Sequence, residues 1–179
     1  MEKIGFGGGC HWCTEAVFQS LIGVVNVEQG WIASHGSNSG LSEGVLVYFE
    51  EKEISLSTLV SIHLQTHSST STHQQRSKYR SAIYIHGPSQ NDTITKILKQ
   101  LQCDFDKPLI TQILPLVRFK TNSTEYLNYY YSDPEKKFCQ KYIDPKLKFL
   151  LSDYAQHIDG SKLNHIIEST KNEKHSLKD

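Results

Sequence analysis

The chain has 179 residues, 37% of them hydrophobic, and its 19 Lys plus Arg balance 19 Asp plus Glu. That length suffices for one well-buried domain and demands no second. A net charge near zero offers no basic face for a nucleic-acid backbone, and no stretch approaches the roughly 20 apolar residues that span a bilayer.

The segment "KIGFG", residues 3–7, reads as a short buried strand ending in glycines. Beyond it, Val17, Phe18, Leu21 and Ile22 fall on one face of a helix running from Thr14 to Ile22. Gly23 to Val27 predicts a strand, and Gly30 to Gly44 a polar loop rich in glycine and serine. Val45, Val47 and Phe49 alternate with Leu46 and Tyr48, which suits a strand covered on both faces. Ser55 or Ser57 can cap a helix that ends near Thr66, and "HSSTSTHQQRSK" follows as a polar loop. Arg80 to Ile85 predicts a strand. Ile94, Ile97, Leu98 and Leu101 recur at helical spacing. Leu109 to Leu114 reads as a further strand, and "EYLNYYY" as a short helix. From Lys171 the chain is polar and reads as a frayed tail, 171–179, which leaves 1–170 as a single domain. Strands and helices alternate irregularly, so the expected class is α+β, a mixed or antiparallel sheet with helices packed on it. "MEKIGFGGG" lacks a signal peptide's basic-then-apolar order, and the expected location is the cytoplasm.

The chemistry concentrates in "FGGGCHWCTEAVF", residues 6–18. A cysteine between a glycine-rich turn and a helix start meets unpaired backbone N–H groups and the positive end of the helix dipole. Both favour thiolate, so the Cys10 pKa should fall below the roughly 8.5 of a free thiol. Cys13 lies one helical turn on and can capture a sulfenic acid formed on Cys10 as a disulfide. A structural zinc needs four ligands, but there is no second Cys-x-x-C and Cys103 and Cys139 stand apart, so no metal is expected. The Cys-x-x-C form also fits dithiol exchange of the thioredoxin type, and that reading stays open.

"GFGGGCHWCTEAVF" resembles the G-G-C-F-W-x-x-E signature of the A-type peptide methionine sulfoxide reductases. "GVVNVEQGW", "SEGVLVYFEEKEISLSTLVSIHLQTH", "KYRSAIYIH" (family Q-Y-R-S-A-I-F), "EYLNYY" (family Y-H-Q-x-Y) and "FCQKYIDPKL" resemble later family segments in the same order, over about residues 3–150. The resemblance implies a ferredoxin-like two-layer fold and no cofactor. It implies that the Cys10 thiolate attacks a sulfoxide sulfur, with Glu43, as a neutral acid in an apolar pocket, and Tyr79 assisting the oxygen. A second thiol, Cys13 or Cys139, then forms a disulfide that thioredoxin or a similar dithiol reduces. Trp12 would shape a pocket for the methyl on sulfur, with His11, Trp31 and Tyr130 also against the substrate. His11 stands where the family has phenylalanine and could place a charge beside the thiolate. The segments 30–43 and 67–79 look shortened, a family tyrosine is lost with the first, and Leu41 and Leu127 replace family histidines. A relative that binds oxidised methionine without turnover is therefore a further reading.

Overall fold

The computed structural model describes residues 1–168; the tail expected from Lys171 lies outside them. Six strands, β1 (Glu2–Gly7), β2 (Val24–Ala33), β3 (Ser42–Phe49), β4 (Ala82–Ile85), β5 (Gln112–Pro115) and β6 (Arg118–Thr121), form one sheet in the order β5-β4-β1-β3-β2-β6. The β4–β5 pair is parallel and every other pair antiparallel, which makes the sheet mixed and the class α+β.

Helices α1 (His11–Gln19), α2 (Leu56–Thr66), α3 (Pro88–Leu101), α4 (Tyr129–Ser132) and α5 (Asp144–Asp153) accompany the sheet. A π-helical turn at Cys139–Ile143 leads into α5. Ile4 and Phe6 of β1 and Val45, Val47 and Phe49 of β3 point toward the helices and share one core with Val17, Phe18, Leu59, Ile62, Ile94, Ile97 and Leu147. The alternate positions point the other way, where Leu46, Ile32 and Tyr84 form a smaller cluster under Tyr48, Leu116 and Phe119. Both faces of β3 are thus covered, as its uninterrupted apolar run predicts. No helix among the described residues is long and apolar enough to cross a membrane.

Several boundaries differ from the sequence reading. The expected loop from Gly30 to Gly44 is mostly strand, since β2 runs on to Ala33 and β3 starts at Ser42. Gly30 sits inside β2 because a Cβ there would lie 2.2 Å from the Lys120 carbonyl oxygen on β6. It marks a close backbone approach rather than a turn. Helix α1 begins at His11, directly after Cys10, and stops at Gln19, so Leu21 and Ile22 lie beyond it. The strand expected at Leu109–Leu114 starts only at Gln112 and reaches Pro115. The polar edge strand β6 has no alternating apolar pattern, and neither it nor helix α5 is among the elements expected from the sequence.

Candidate active site

The site begins where β1 ends. Gly7, Gly8 and Gly9 turn the chain from the sheet to α1, and Cys10 occupies the residue before the first helical turn. Gly8 has φ +156, and a Cβ on it would sit 2.4 Å from Cδ2 of His67. His67 is held firmly beneath that turn: its Nδ1–H donates to the His63 carbonyl at 2.6 Å and its Nε2 accepts from Ser81 Oγ at 2.8 Å. Arg76 secures the outside, donating to the carbonyls of Gly8 at 3.1 Å, Tyr79 at 3.0 Å and Ser68. The polar loop 67–79 is thereby clamped to the cysteine turn.

All four cysteines are free thiols. Cys10 is half-buried and Cys13 buried. A hydrogen bond from the Cys13 side chain pulls the Cys10 thiol below its usual pKa, helped by the backbone N–H groups of Cys13 and Trp12. Burial and the nearby Glu43 push the other way. The same Cys10–Cys13 hydrogen bond, followed by burial, pushes the Cys13 thiol up. The two thiols are therefore shifted in opposite directions, Cys10 toward the thiolate and Cys13 away from it. Cys139, in the π-helical turn, is fully buried near Cys13, and its S–H points at the Asp133 carbonyl 3.7 Å away. Cys103 is exposed at the end of α3.

Glu43, at the start of β3, is buried and close enough for its charge to act on Cys10. Its surroundings differ from the apolar pocket expected: Oε2 accepts the His11 backbone N–H at 3.0 Å, and Oε1 lies 3.3 Å from the Lys78 ammonium. The pairing of Lys78 with Glu43 has no signature in the sequence, because nothing local links position 78 to position 43. Tyr79 lines a groove of about 610 Å³ that also runs past Cys10, Cys13, His67, Phe138 and Tyr142. Glu43 and Trp12 are not on its wall.

His11 is buried and turned into the sheet. A carbonyl can only accept, so His11 Nδ1–H donates to Gly30 O at 3.2 Å, and Nε2 is left to accept from Asn122 Nδ2 at 3.4 Å. Burial lowers its pKa, outweighing Glu43, so the ring is neutral and brings no charge to the thiolate. Trp31, opposite Glu43 in the β2–β3 register, packs edge-on against His11 with centroids 5.6 Å apart.

The Trp12 indole stacks on Tyr129 at 4.0 Å and 8°, with Phe138 edge-on at 5.4 Å. Tyr130 is not part of this cluster. Its ring is buried in the core and its hydroxyl bonds Asp144 at 2.6 Å and His165 at 2.7 Å, so the tyrosine against Trp12 is its neighbour. The cause is Asn128, whose left-handed backbone (φ 52) sets the phase of α4. Glu15 holds that turn, accepting from the N–H of Asn128 at 2.8 Å and of Tyr129 at 3.3 Å, and from Gln29 Nε2 at 3.0 Å. Asn122 joins Gln29 (2.8 Å) to His11, which completes a polar chain from the cysteine turn to the tyrosines.

The peptide methionine sulfoxide reductase family model matches residues 2–158. The chain is 33% identical over 173 residues to the peptide methionine sulfoxide reductase MsrA of Deinococcus radiodurans, covering 88% of this chain and 84% of that one. Among solved structures, Mxr1 from Saccharomyces cerevisiae in reduced form aligns with a TM-score of 0.69 at 19% identity, over 77% of this chain and 88% of that one. Mxr1 in complex with Trx2 aligns with a TM-score of 0.57 at 20% identity, over 70% and 82%. By the extent of these matches, and with a cysteine at the turn between β1 and α1, the chain belongs to the peptide methionine sulfoxide reductase family.

Proposed function

We propose that the protein reduces methionine S-sulfoxide, free or in peptides, to methionine, with Cys10 as nucleophile and Cys13 as the thiol that first resolves it. The observation that carries this reading is that Cys10 and Cys13, at the start of α1, line one groove with Tyr79, with Glu43 buried close to Cys10. The Cys10 thiolate attacks the sulfoxide sulfur. A bond forms between the two sulfurs, the oxygen takes one proton, and as it passes to the Cys10 sulfur both the S–O bond and the new S–S bond to the substrate break, leaving methionine and a Cys10 sulfenic acid. The substrate sulfur gains two electrons and the Cys10 sulfur loses two. Glu43 and Tyr79 stand on the oxygen side, and the aromatic cluster around Trp12 receives the methyl group.

Cys13 stands three residues from Cys10 at the start of α1 and lines the same groove, so its attack on the sulfenic sulfur needs little motion; the step forms the disulfide and releases water. A dithiol then reduces the disulfide. The complex of Mxr1 with Trx2 supports a thioredoxin in that role. Such a cycle belongs in a reducing compartment, for which we propose the cytoplasm.

Turnover of methionine S-sulfoxide with dithiothreitol tests the reading, and mass mapping after one equivalent of substrate without reductant tests the order. A Cys10–Cys13 disulfide is expected. A Cys10–Cys139 product would reassign the resolving thiol. Insulin reduction without sulfoxide turnover would instead establish a dithiol oxidoreductase, which the Cys-x-x-C geometry also favours.

A further inference from the structure

Lys78 stands where the family pattern Q-Y-R-S has glutamine, and its position is built rather than incidental. Its backbone carbonyl accepts both the Glu43 N–H at 2.8 Å and the Ser42 hydroxyl at 2.9 Å. Two residues on, the Arg80 N–H donates to the same Ser42 Oγ at 2.8 Å. The segment 78–80 is thus tied along the first residues of β3, and the lysine stem starts from a fixed root. Its ammonium reaches Glu43 Oε1 at 3.3 Å and lies 5.0 Å from the centroid of the Tyr79 ring.

An ordinary surface ion pair joins two mobile, hydrated side chains and contributes little. Here the Glu43 side chain is only 6% exposed, whereas that of Lys78 is 53% exposed. The carboxyl group anchors the ammonium from its buried side, and the lysine side chain stays half exposed. Hydrogen bonding to Tyr79 and then to Glu43 raises the Lys78 pKa, which keeps the group charged.

Resting on the reading of Cys10 given above, we propose that Lys78 is the cation on the oxygen side of the reaction: seated on Glu43 beside Tyr79, its ammonium hydrogen-bonds the sulfoxide oxygen as the S–O bond breaks. Negative charge builds on that oxygen until it takes a proton from water and settles on Cys10 as the sulfenic acid. A fixed ammonium stabilises that charge without reorganisation, whereas a glutamine amide brings only a dipole. Lysine here supplies what a neutral residue at this position cannot.

The test measures single-turnover release of methionine from methionine S-sulfoxide, together with the rate at which iodoacetamide alkylates Cys10 at its high-pH plateau. Alkylation uses the same thiolate but develops no charge on a sulfoxide oxygen. Lys78→Met and Lys78→Gln are expected to lose roughly 10²-fold in the single-turnover rate with KM within threefold and plateau alkylation within twofold. Lys78→Arg, which keeps charge and donors, is expected to recover to within fivefold of wild type. Wild-type rates in Lys78→Met overturn the proposal, and so does an equal loss in both reactions, which would place the effect on the thiolate. A wild-type protein that alkylates normally but releases no methionine overturns the functional reading and this proposal with it.

Discussion

The Glu43 carboxyl group accepts the backbone N–H of His11 at 3.0 Å across 32 positions of sequence. The residue after Cys10 is thereby anchored to β3, and the start of α1 cannot move without breaking a buried hydrogen bond. The same carboxyl group meets Lys78 on its other oxygen. One side chain therefore fixes the thiolate turn and holds a cation beside it.

Glu43→Ala leaves the His11 N–H without its acceptor and Lys78 without its partner. The expected cost is about 1–3 kcal/mol of stability, read from the urea midpoint, together with a loss of sulfoxide reduction. Glu43→Gln keeps an acceptor oxygen for His11. It should hold stability to within about 1 kcal/mol while activity still falls, because the ion pair is gone. Equal stability of the alanine variant and wild type would show that the anchor carries no load.

Gly8→Ala tests the turn itself. The new methyl group would meet the His67 ring at 2.4 Å, and that ring is hydrogen-bonded at both nitrogens and cannot retreat. We expect destabilisation of roughly 2 kcal/mol or more and slower alkylation of Cys10, because the turn that presents the thiolate is displaced. A crystal structure of the variant with Cys10 unmoved would contradict this.

The sequence itself made the strand, glycine turn and helix around Cys10 legible, since glycine and helical periodicity act locally. It misread residues 30–44 because Gly30 looks like a loop residue. Its real cause is the Lys120 carbonyl, about 90 positions away and on a polar edge strand with no hydrophobic pattern. The tyrosine-rich segment was recognised, but the choice of Tyr130 over Tyr129 depends on one left-handed residue, Asn128, and on Glu15 bonding its amide. The role of Lys78 is illegible for a similar reason. Its partner lies on β3, 35 positions earlier in the chain, and ion pairs leave no periodicity.

Glu15 is buried, and burial raises its pKa despite three hydrogen-bond donors around it. Glu15→Ala should cost roughly 2–3 kcal/mol and free the turn at Asn128, so that Tyr129 leaves the Trp12 ring. Tryptophan fluorescence reads that separation directly. An unchanged emission spectrum in the folded variant would mean that Tyr129 is held by other contacts.

Stability should rise with pH through the range in which His67 titrates. Burial lowers its pKa to about 4 in the folded protein, against 6.5 for an unperturbed histidine. Between those values the unfolded chain binds the extra proton and the folded one does not. The contribution is therefore complete above 6.5 and lost as pH falls toward 4. Its size is on the order of 3 kcal/mol. His11 and His63, also lowered chiefly by burial, act in the same direction, while Glu15, raised, opposes them as pH climbs above 4.5. Urea unfolding at pH 4 and pH 7 measures the slope, and His67→Asn should flatten it. A variant with the wild-type slope would remove His67 from the account.

Cys10 as the sulfur that takes the oxygen is the central claim, and one turnover without reductant tests it. With methionine S-sulfoxide in excess and no dithiol present, the wild-type protein should release one methionine per chain in the first turnover, and trapping with dimedone in a Cys13→Ser, Cys139→Ser background should place the sulfenic acid on Cys10. Cys10→Ser should release none. Methionine formed at the wild-type rate by Cys10→Ser, or dimedone found on another cysteine, would contradict the assignment.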